Sequence, residues 1–219
     1  MVSANIRKIL EEIPPHVKLV AVSKTKPVEL IQEAYETGQR AFGENKVQEM
    51  VGKYEQLPKD IEWHLIGHLQ SNKVKYIAPF VHLIHAVDSL KLLEVINREA
   101  AKNNRVIKCL LQFHIAQEET KFGLDMDEAR ALLNSDSFKS MENVSIEGVM
   151  GMASFTEEEA QIRKEFRVLK SFFEEIKSEI RNSKSEISVL SFGMSGDYKI
   201  AIEEGSNMIR VGSSIFGGR

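Results

Sequence analysis

The sequence predicts an α/β protein that folds as a (β/α)8 TIM barrel with an extra helix at its amino terminus. Short apolar runs alternate with amphipathic stretches along the whole chain, a pattern typical of a parallel sheet with crossover helices. Eight such runs can be counted, and eight strand–helix units close a barrel. The 219 residues contain no repeat, linker or break in composition, so residues 1–219 are expected to form a single domain. An open doubly wound sheet is the alternative, because a TIM barrel typically needs about 250 residues.

The first strand is the most clearly defined element. An unbroken apolar or small run within residues 18–23 is typical of a strand covered on both faces. Pro27 suits the first turn of the following helix, which is expected to continue to about residue 37. An amphipathic helix precedes the strand, with apolar residues at Ile6, Ile9, Leu10 and Ile13.

The other strands and helices are expected at regular intervals. Predicted strands two to eight cover residues 40–42, 62–66, 80–86, 106–115, 145–150, 187–192 and 207–211. Helices are expected up to residue 54 and over 70–77, 90–101, 127–133 and 195–204, with the longest opening at a capping box over residues 156–159. The apolar stripe of that longest helix comprises Ile162, Phe166, Leu169, Phe173, Ile176 and Ile180. A stripe of this length favours packing on a sheet over a coiled coil.

Composition sets limits on the class of protein. With 28% charged residues and a net charge of -3, the chain has no general attraction to nucleic acid or to acidic membranes. Cys109 is the only cysteine, so no internal disulfide can form, and its apolar surroundings favour a buried, inert thiol. No apolar run approaches the roughly 20 residues of a membrane span, and the first helix does not resemble a signal peptide. A cytoplasmic protein is therefore expected.

A lysine at the end of the first strand is the first candidate site residue. Because side chains alternate along a strand, Lys24 points the same way as Val20 and Val22. If those valines fill the inside of a barrel, Lys24 lies at its carboxyl rim, where α/β barrels place their chemistry. A solvated surface lysine is the alternative interpretation.

Two glycine- and serine-rich loops follow the last two predicted strands. Residues 193–197 come after strand seven and residues 212–214 after strand eight. Small residues at the start of a helix leave backbone N–H groups free to hold an anion, and barrels often bind phosphate in these two loops. Such residues also simply form turns.

Arg210 lies near the end of the last strand and points inward by alternation. Burial of this guanidinium requires a partner, either a carboxylate or a group on a ligand. Strands one and eight are neighbours in a closed barrel, so Lys24, the two loops and Arg210 can meet. An amine, a phosphate site and a partner for a ring nitrogen are what is needed to hold pyridoxal 5'-phosphate (PLP) as a Schiff base.

Five ordered blocks of sequence carry a family resemblance. They are AVSKTK at 21–26, FGENKVQE at 42–49, WHLIGHLQSNK at 63–73, FGMS at 192–195 and IRVGSSIFG at 209–217. With these blocks the chain resembles the pyridoxal phosphate homeostasis protein family, single-domain relatives of the alanine racemase barrel with fold type III of PLP proteins.

The resemblance implies a role for each of six residues. Lys24 matches the Schiff-base lysine and Arg210 the partner of the pyridine nitrogen. The other matching residues are Ser195, Gly212 and Ser213 at the phosphate and Asn45 facing the cofactor. Three positions depart from the family pattern: Ser213 stands where threonine is common, Gly196 where aspartate is frequent, and His114 where asparagine is usual.

The remaining histidines do not predict a metal site. His64 and His68 are four apart, but they lie on a strand and after a glycine rather than on one helix. His82 and His85 are expected on opposite faces of a strand, and neither pair is expected to have a nearby carboxylate in a metal-binding arrangement. His64 is expected to be a satisfied hydrogen-bonding residue near the rim.

The function implied by the resemblance is that of a cofactor carrier in vitamin B6 and amino-acid homeostasis, without strong catalysis and with no catalytic residues assigned. An arginine cannot give the pyridine nitrogen a proton as a carboxylic acid can, so carbanions on the cofactor are stabilised less. Racemases with this arrangement add a tyrosine from a second domain, which is not expected here. A weak PLP-dependent racemase and a non-covalent binder of phosphorylated metabolites are the alternatives. Expected partners are PLP, free amino acids and, transiently, PLP-dependent apo-enzymes, and the chain is expected to be a monomer.

Overall fold

Eight parallel strands close into a barrel in the order in which they occur along the chain. The computed structural model describes residues 1–117, 122–179 and 186–218. The strands are β1 (Lys18–Val22), β2 (Ala41–Glu44), β3 (Glu62–Leu65), β4 (Leu83–Val87), β5 (Ile107–Phe113), β6 (Val144–Gly151), β7 (Val189–Ser191) and β8 (Met208–Val211). The TIM-barrel prediction is confirmed, and the open-sheet alternative is wrong.

Helices cover the outside of the barrel. They are α1 (Val2–Glu12), α2 (Val28–Glu36), α3 (Val47–Gln56), α4 (Val74–Ile77), α5 (Leu90–Lys102), α6 (Met126–Asn134), α7 (Asp136–Ser140), α8 (Glu159–Glu179), α9 (Tyr198–Glu203) and α10 (Ser213–Phe216), with a 3₁₀ turn at Ser71–Lys73. The extra amino-terminal helix is therefore present as α1. Within the described residues, none of these helices combines the length and the apolarity that a membrane span requires.

The seam between the first and last strands closes the barrel. Lys18 pairs with Met208 and Val20 pairs with Arg210 in parallel register. Because paired residues of parallel strands point to the same face, Val20 and Arg210 both point into the barrel. A small apolar cluster fills the interior there, formed by Val20, Ala41, Leu83, Leu110, Met150 and Met208.

A larger core lies between the strands and the helices. The longest helix, α8, contributes its apolar stripe to this layer, and the Phe166 ring stacks on Phe192 with centroids 4.3 Å apart. The stripe therefore packs on the barrel, as expected; Ile180 lies outside the described residues. Leu10 departs from its predicted place, because it is 45% exposed while the other apolar residues of the predicted stripe, Ile6, Ile9 and Ile13, are buried.

Several predicted boundaries are wrong for local reasons. β4 begins at Leu83 rather than at residue 80, because the N–H groups of Phe80 and Val81 donate to Ile77 O and extend the turn after α4. The predicted capping box on Thr156 is not formed, since α8 begins at Glu159 and the Thr156 hydroxyl accepts from the Glu158 N–H. A capping box does form at the start of α6, between Asp125 and Glu128.

Candidate functional site

A cavity of about 590 Å³ opens at the carboxyl end of the barrel. All six residues that the sequence nominated line it: Lys24, Asn45, Ser195, Arg210, Gly212 and Ser213. They come from the ends of β1, β2, β7 and β8, so the parallel strands deliver them to one rim. The volume lies within the range of small-molecule and cofactor sites.

The backbone on both sides of Lys24 is held by side chains of the neighbouring strand and helix. Ser23, the preceding residue, donates its hydroxyl to Glu44 Oε1 at 2.6 Å, and its carbonyl accepts from Lys53 Nζ at 2.8 Å. The following residue, Thr25, donates its N–H to Glu49 Oε1. Thr25 also has a φ of 64°, a left-handed conformation that a threonine adopts only when its surroundings impose it. These contacts fix where the Lys24 side chain leaves the strand.

A buried ion pair organises these contacts. Lys53 Nζ lies 2.8 Å from Glu44 Oε1 and 2.7 Å from Glu49 Oε1, and Lys53 and Glu44 are both buried. Burial raises the pKa of the Glu44 carboxyl, although Lys53 and Ser23 both donate to it. Sequence reasoning missed these three residues. Their only signal was the four-residue spacing of Glu49 and Lys53 on α3, which is also common on exposed helix faces.

Arg210 projects from β8 into the wall of the cavity and is 4% exposed. Its Nη1 donates to Ser191 O at 3.1 Å and to Ser191 Oγ at 2.6 Å, and its Nη2 donates to Gly151 O at 3.0 Å. Burial lowers the pKa of Arg210 to about 10, so the guanidinium is still charged at neutral pH. Its partners are uncharged oxygens rather than a carboxylate within the described part of the chain, so the salt-bridge interpretation is wrong.

The two glycine- and serine-rich loops meet at the Ser195 hydroxyl. Ser195 Oγ accepts from the backbone N–H of Gly212 at 3.2 Å and from that of Ser214 at 3.4 Å. Two backbone donors therefore converge on one oxygen, an arrangement that suits an anionic oxygen as well. A Cβ on Gly212 would lie 3.2 Å from both Val22 Cβ and Val22 O, so a larger residue there would crowd β1.

The loop after β7 differs in detail from its prediction. The helix expected from residue 195 begins at Tyr198, because Asp197 Oδ1 accepts from the Met194 N–H at 2.6 Å and closes a turn before the helix. Ser195 and Gly196 therefore lie in the turn and remain on the cavity wall.

Asn45 reaches the cavity because two loops approach closely. A Cβ on Gly67 would lie 2.5 Å from Asn45 O, so the loop after β3 can pack against Asn45 only with glycine at position 67.

His114 departs from the family pattern, and the sequence did not decide whether it contributes to the pocket. It is exposed and is not among the cavity-lining residues.

The histidines are arranged differently from the prediction. His64 lies in the barrel interior rather than near the rim, fully buried, with its Nδ1 2.9 Å from His85 Nε2. Burial lowers the pKa of both rings well below the usual value, so both are neutral. The expectation that no carboxylate lies near these residues is also wrong, because His82 Nε2 is 3.8 Å from Glu62 Oε2. His68 lines the cavity mouth and stacks on Phe122 with centroids 4.2 Å apart.

The fold and this rim define a barrel of the alanine racemase class. The sequence profile of that family, described as alanine racemase, N-terminal domain, matches residues 1–219. Alanine racemase from Bartonella henselae, solved with covalently bound pyridoxal phosphate, superposes with a TM-score of 0.72 over 99% of this chain and 58% of that chain. At 16% identity this likeness concerns the fold alone.

Relatives with higher sequence identity show which family within this class the chain belongs to. A pyridoxal phosphate homeostasis protein of Aquifex aeolicus is 39% identical over 92% of this chain and 87% of its own length. The human protein of the same name is 37% identical over 92% of this chain and 76% of its own. PipY of Synechococcus elongatus, in a structure with PLP bound, has a TM-score of 0.90 at 35% identity, covering 99% of this chain and all of that chain. The chain belongs to the pyridoxal phosphate homeostasis protein family.

Proposed function

We propose that residues 1–219 form one PLP-binding barrel that holds the cofactor as a Schiff base on Lys24 and acts in intracellular vitamin B6 and amino-acid homeostasis without strong catalysis. The observation that carries the proposal is the meeting of Lys24, Arg210 and the Ser195–Gly212 contact in one cavity of about 590 Å³. The relatives named for PLP homeostasis and the PLP-bound PipY structure support it.

The donor set fits each part of the cofactor. The backbone N–H groups of Gly212 and Ser214, with the Ser195 and Ser213 hydroxyls, would bind the phosphate. Arg210 would donate to the pyridine nitrogen from a buried position, and Asn45 lines the same cavity. Lys24 Nζ would condense with the aldehyde carbon, forming a C=N bond and releasing one water.

Arg210 also limits the chemistry of the site. A guanidinium donates hydrogen bonds and accepts none, so the pyridine nitrogen would keep its lone pair as the acceptor and stay unprotonated. PLP serves enzymes as an electron sink, and that capacity is weaker without a protonated ring. Tyr198 and Tyr35 donate their hydroxyls to Glu12 and Asp60, away from the cavity, so neither is placed to act as an acid or base there.

These features support a carrier rather than a catalyst. A free amino acid could take the place of Lys24 in the C=N bond, which would leave Lys24 as a free amine, and transient contact with PLP-dependent apo-enzymes would complete delivery. We further propose a monomer in the cytoplasm. The fully buried Cys109 thiol, whose pKa is raised by burial, is compatible with that reducing compartment.

The test begins with purified protein and PLP. The carrier proposal predicts a visible absorbance band, trapped by borohydride as a label that peptide mass mapping places on Lys24. The Lys24→Ala variant should lose the band, whereas Lys91→Ala, a change on an exposed face of α5, should keep it. Absence of such a band from the protein after free PLP has been removed, or a label mapped mainly to another lysine in the unaltered protein, would overturn the proposal.

The same samples distinguish the two alternatives. Interconversion of alanine enantiomers by the pure protein, abolished in Lys24→Ala, would identify a weak racemase. Phosphate-competitive binding of equal affinity in Lys24→Ala and in the unaltered protein would identify a non-covalent binder of phosphorylated metabolites.

A further inference from the structure

Three potential metal ligands meet at the amino-terminal end of the barrel, opposite the rim that carries Lys24. Glu62 begins β3, His64 lies two residues further along the same strand, and His82 immediately precedes β4. One ligand atom from each lies within 4.8 Å of the other two. In the parallel ladder of β3 and β4, His64 pairs with Leu83, and His82, the residue before Leu83, donates its N–H to Trp63 O. His82 therefore lies at the same end of the barrel as Glu62 and His64.

The three residues differ in how freely they can move. The side chains of Glu62 and His82 are about a third exposed, at 34% and 35%, and Glu62 Oε2 lies 3.8 Å from His82 Nε2. His64 is fully buried, and its Nδ1 is engaged by His85 Nε2. The other ring nitrogen, His64 Nε2, is buried without a hydrogen-bond partner in the described part of the chain. A buried polar atom of this kind is costly unless something binds it.

We propose that Glu62, His64 and His82 form a binding site for a divalent transition-metal ion, with Zn²⁺ as the representative. Two imidazole nitrogens and one carboxylate oxygen are a known ligand set for zinc, with water in the remaining position. Bonds of about 2.0–2.2 Å place neighbouring ligands of a tetrahedral ion about 3.4 Å apart. No two ligand atoms are more than 4.8 Å apart, so the side chains of Glu62 and His82, each about a third exposed, need to close by at most about 1.4 Å onto the fixed His64. His85 would be the hydrogen-bond partner that orients the ligating ring.

Lys18 competes with the metal for the same carboxylate. Lys18 Nζ pairs with Glu62 Oε2, and the Lys18 side chain is 40% exposed, so it can swing into solvent when an ion arrives. Its positive charge opposes that of the metal. Removal of Lys18 should therefore strengthen metal binding, which distinguishes this site from ions bound to scattered surface histidines.

The site would lie apart from the cofactor chemistry, at the opposite end of the barrel from Lys24. The amino-terminal face of a TIM barrel is the end associated with stability, and the ion would join β3 to the segment entering β4. Metal that binds only the folded protein raises the melting temperature.

The experiment is a ZnCl₂ titration of tag-free, chelator-treated protein by calorimetry, with CoCl₂ and visible absorbance as a second readout of coordination. One ion per chain is expected, with a rise in melting temperature. His82→Asn and Glu62→Gln, both at positions about a third exposed, each remove a proposed ligand and should weaken binding by at least the roughly 10–100-fold typical for loss of a residue that only supports a ligand. His16→Asn is the matched control on the surface and should bind as the unaltered protein does.

The Lys18→Met variant provides a second test in the same zinc titration. It should bind Zn²⁺ more tightly than the unaltered protein, whereas Lys91→Met on α5 should not change the affinity. The proposal is overturned if neither the unaltered protein nor Lys18→Met binds the ion. It is equally overturned if His82→Asn and Glu62→Gln bind with unchanged affinity.

Discussion

Val20 and Arg210 are register partners across the β1–β8 seam that closes the barrel. Two residues further along each strand, Val22 and Gly212 approach so closely that a Cβ on the glycine would lie 3.2 Å from Val22. Lys24 lies two residues beyond Val22. The seam therefore fixes three features together, namely the buried guanidinium, the glycine-serine loop and the amine of Lys24. Closure of the barrel is itself what assembles the candidate site.

Arg210→Lys should lower both stability and PLP affinity. A lysine keeps the charge but cannot span Ser191 and Gly151 as the planar guanidinium does, so at least one buried carbonyl loses its donor. We expect the free energy of unfolding, measured with urea, to fall by about 1–3 kcal/mol. PLP binding should weaken about tenfold, which corresponds to roughly 1.4 kcal/mol. Arg7→Lys on the exposed face of α1 is the control, and equal stability of the two variants would contradict this account of Arg210.

Gly212→Ala should impair the anion loop through crowding alone. The φ of Gly212 is -122°, which any residue adopts, so the cost comes from the added methyl group against Val22. Overpacking of this kind costs about 1–3 kcal/mol, and it should push the Gly212 N–H away from Ser195. Equilibrium binding of PLP is the measurement. A Val22→Ala change in the same chain should restore part of the loss, whereas Gly196→Ala, with open space around its Cβ, should leave stability unchanged.

Cys109 should resist thiol reagents until the protein unfolds. Its side chain is fully buried, and burial raises the pKa of the thiol, so little thiolate forms and reagent cannot reach it. Labelling with iodoacetamide at pH 8 should be negligible in the native protein and complete in urea. A Val106→Cys change in a Cys109→Ala chain supplies the control, because Val106 is 55% exposed and should label readily. Stoichiometric labelling of native Cys109 would refute the prediction.

Periodicity in the sequence was sufficient for the fold and for placing Lys24, Arg210 and the two glycine- and serine-rich loops at one rim, whereas Asn45 was nominated only by the family resemblance. Alternation from Val20 to Lys24 fixes a face, and the carboxyl ends of parallel strands meet at one edge. The sequence pattern was insufficient for contacts between elements that are distant along the chain. The approach of His82 to Glu62 depends on where β4 begins, and that start lies three residues later than the apolar pattern indicated. The contact of Lys53 with Ser23 O likewise depends on how α3 packs, which no local pattern records.

Lys53→Met should show whether the buried ion pair positions Lys24. The change removes the donor to Ser23 O and leaves Glu44 as a buried carboxylate with no cation beside it. Breaking a buried pair by removing one partner costs about 3–5 kcal/mol, so urea unfolding should show a loss of that order. The backbone next to Lys24 would also lose an anchor. The borohydride-trapped fraction should therefore fall, and the loss should be larger than in Lys139→Met, a matched change on the surface of α7.

A second substitution distinguishes a role of Lys53 in positioning Lys24 from its contribution to the stability of the barrel. Glu44→Gln in the Lys53→Met chain removes the unpaired charge and should recover much of the lost free energy of unfolding, since a neutral amide is far less costly to bury. It does not restore the hydrogen bond from Lys53 to Ser23 O, so the trapping of PLP on Lys24 should stay low in the stabilised double variant. If trapping recovered in step with stability, the ion pair would serve only to stabilise the barrel, and Lys53 would have no positioning role.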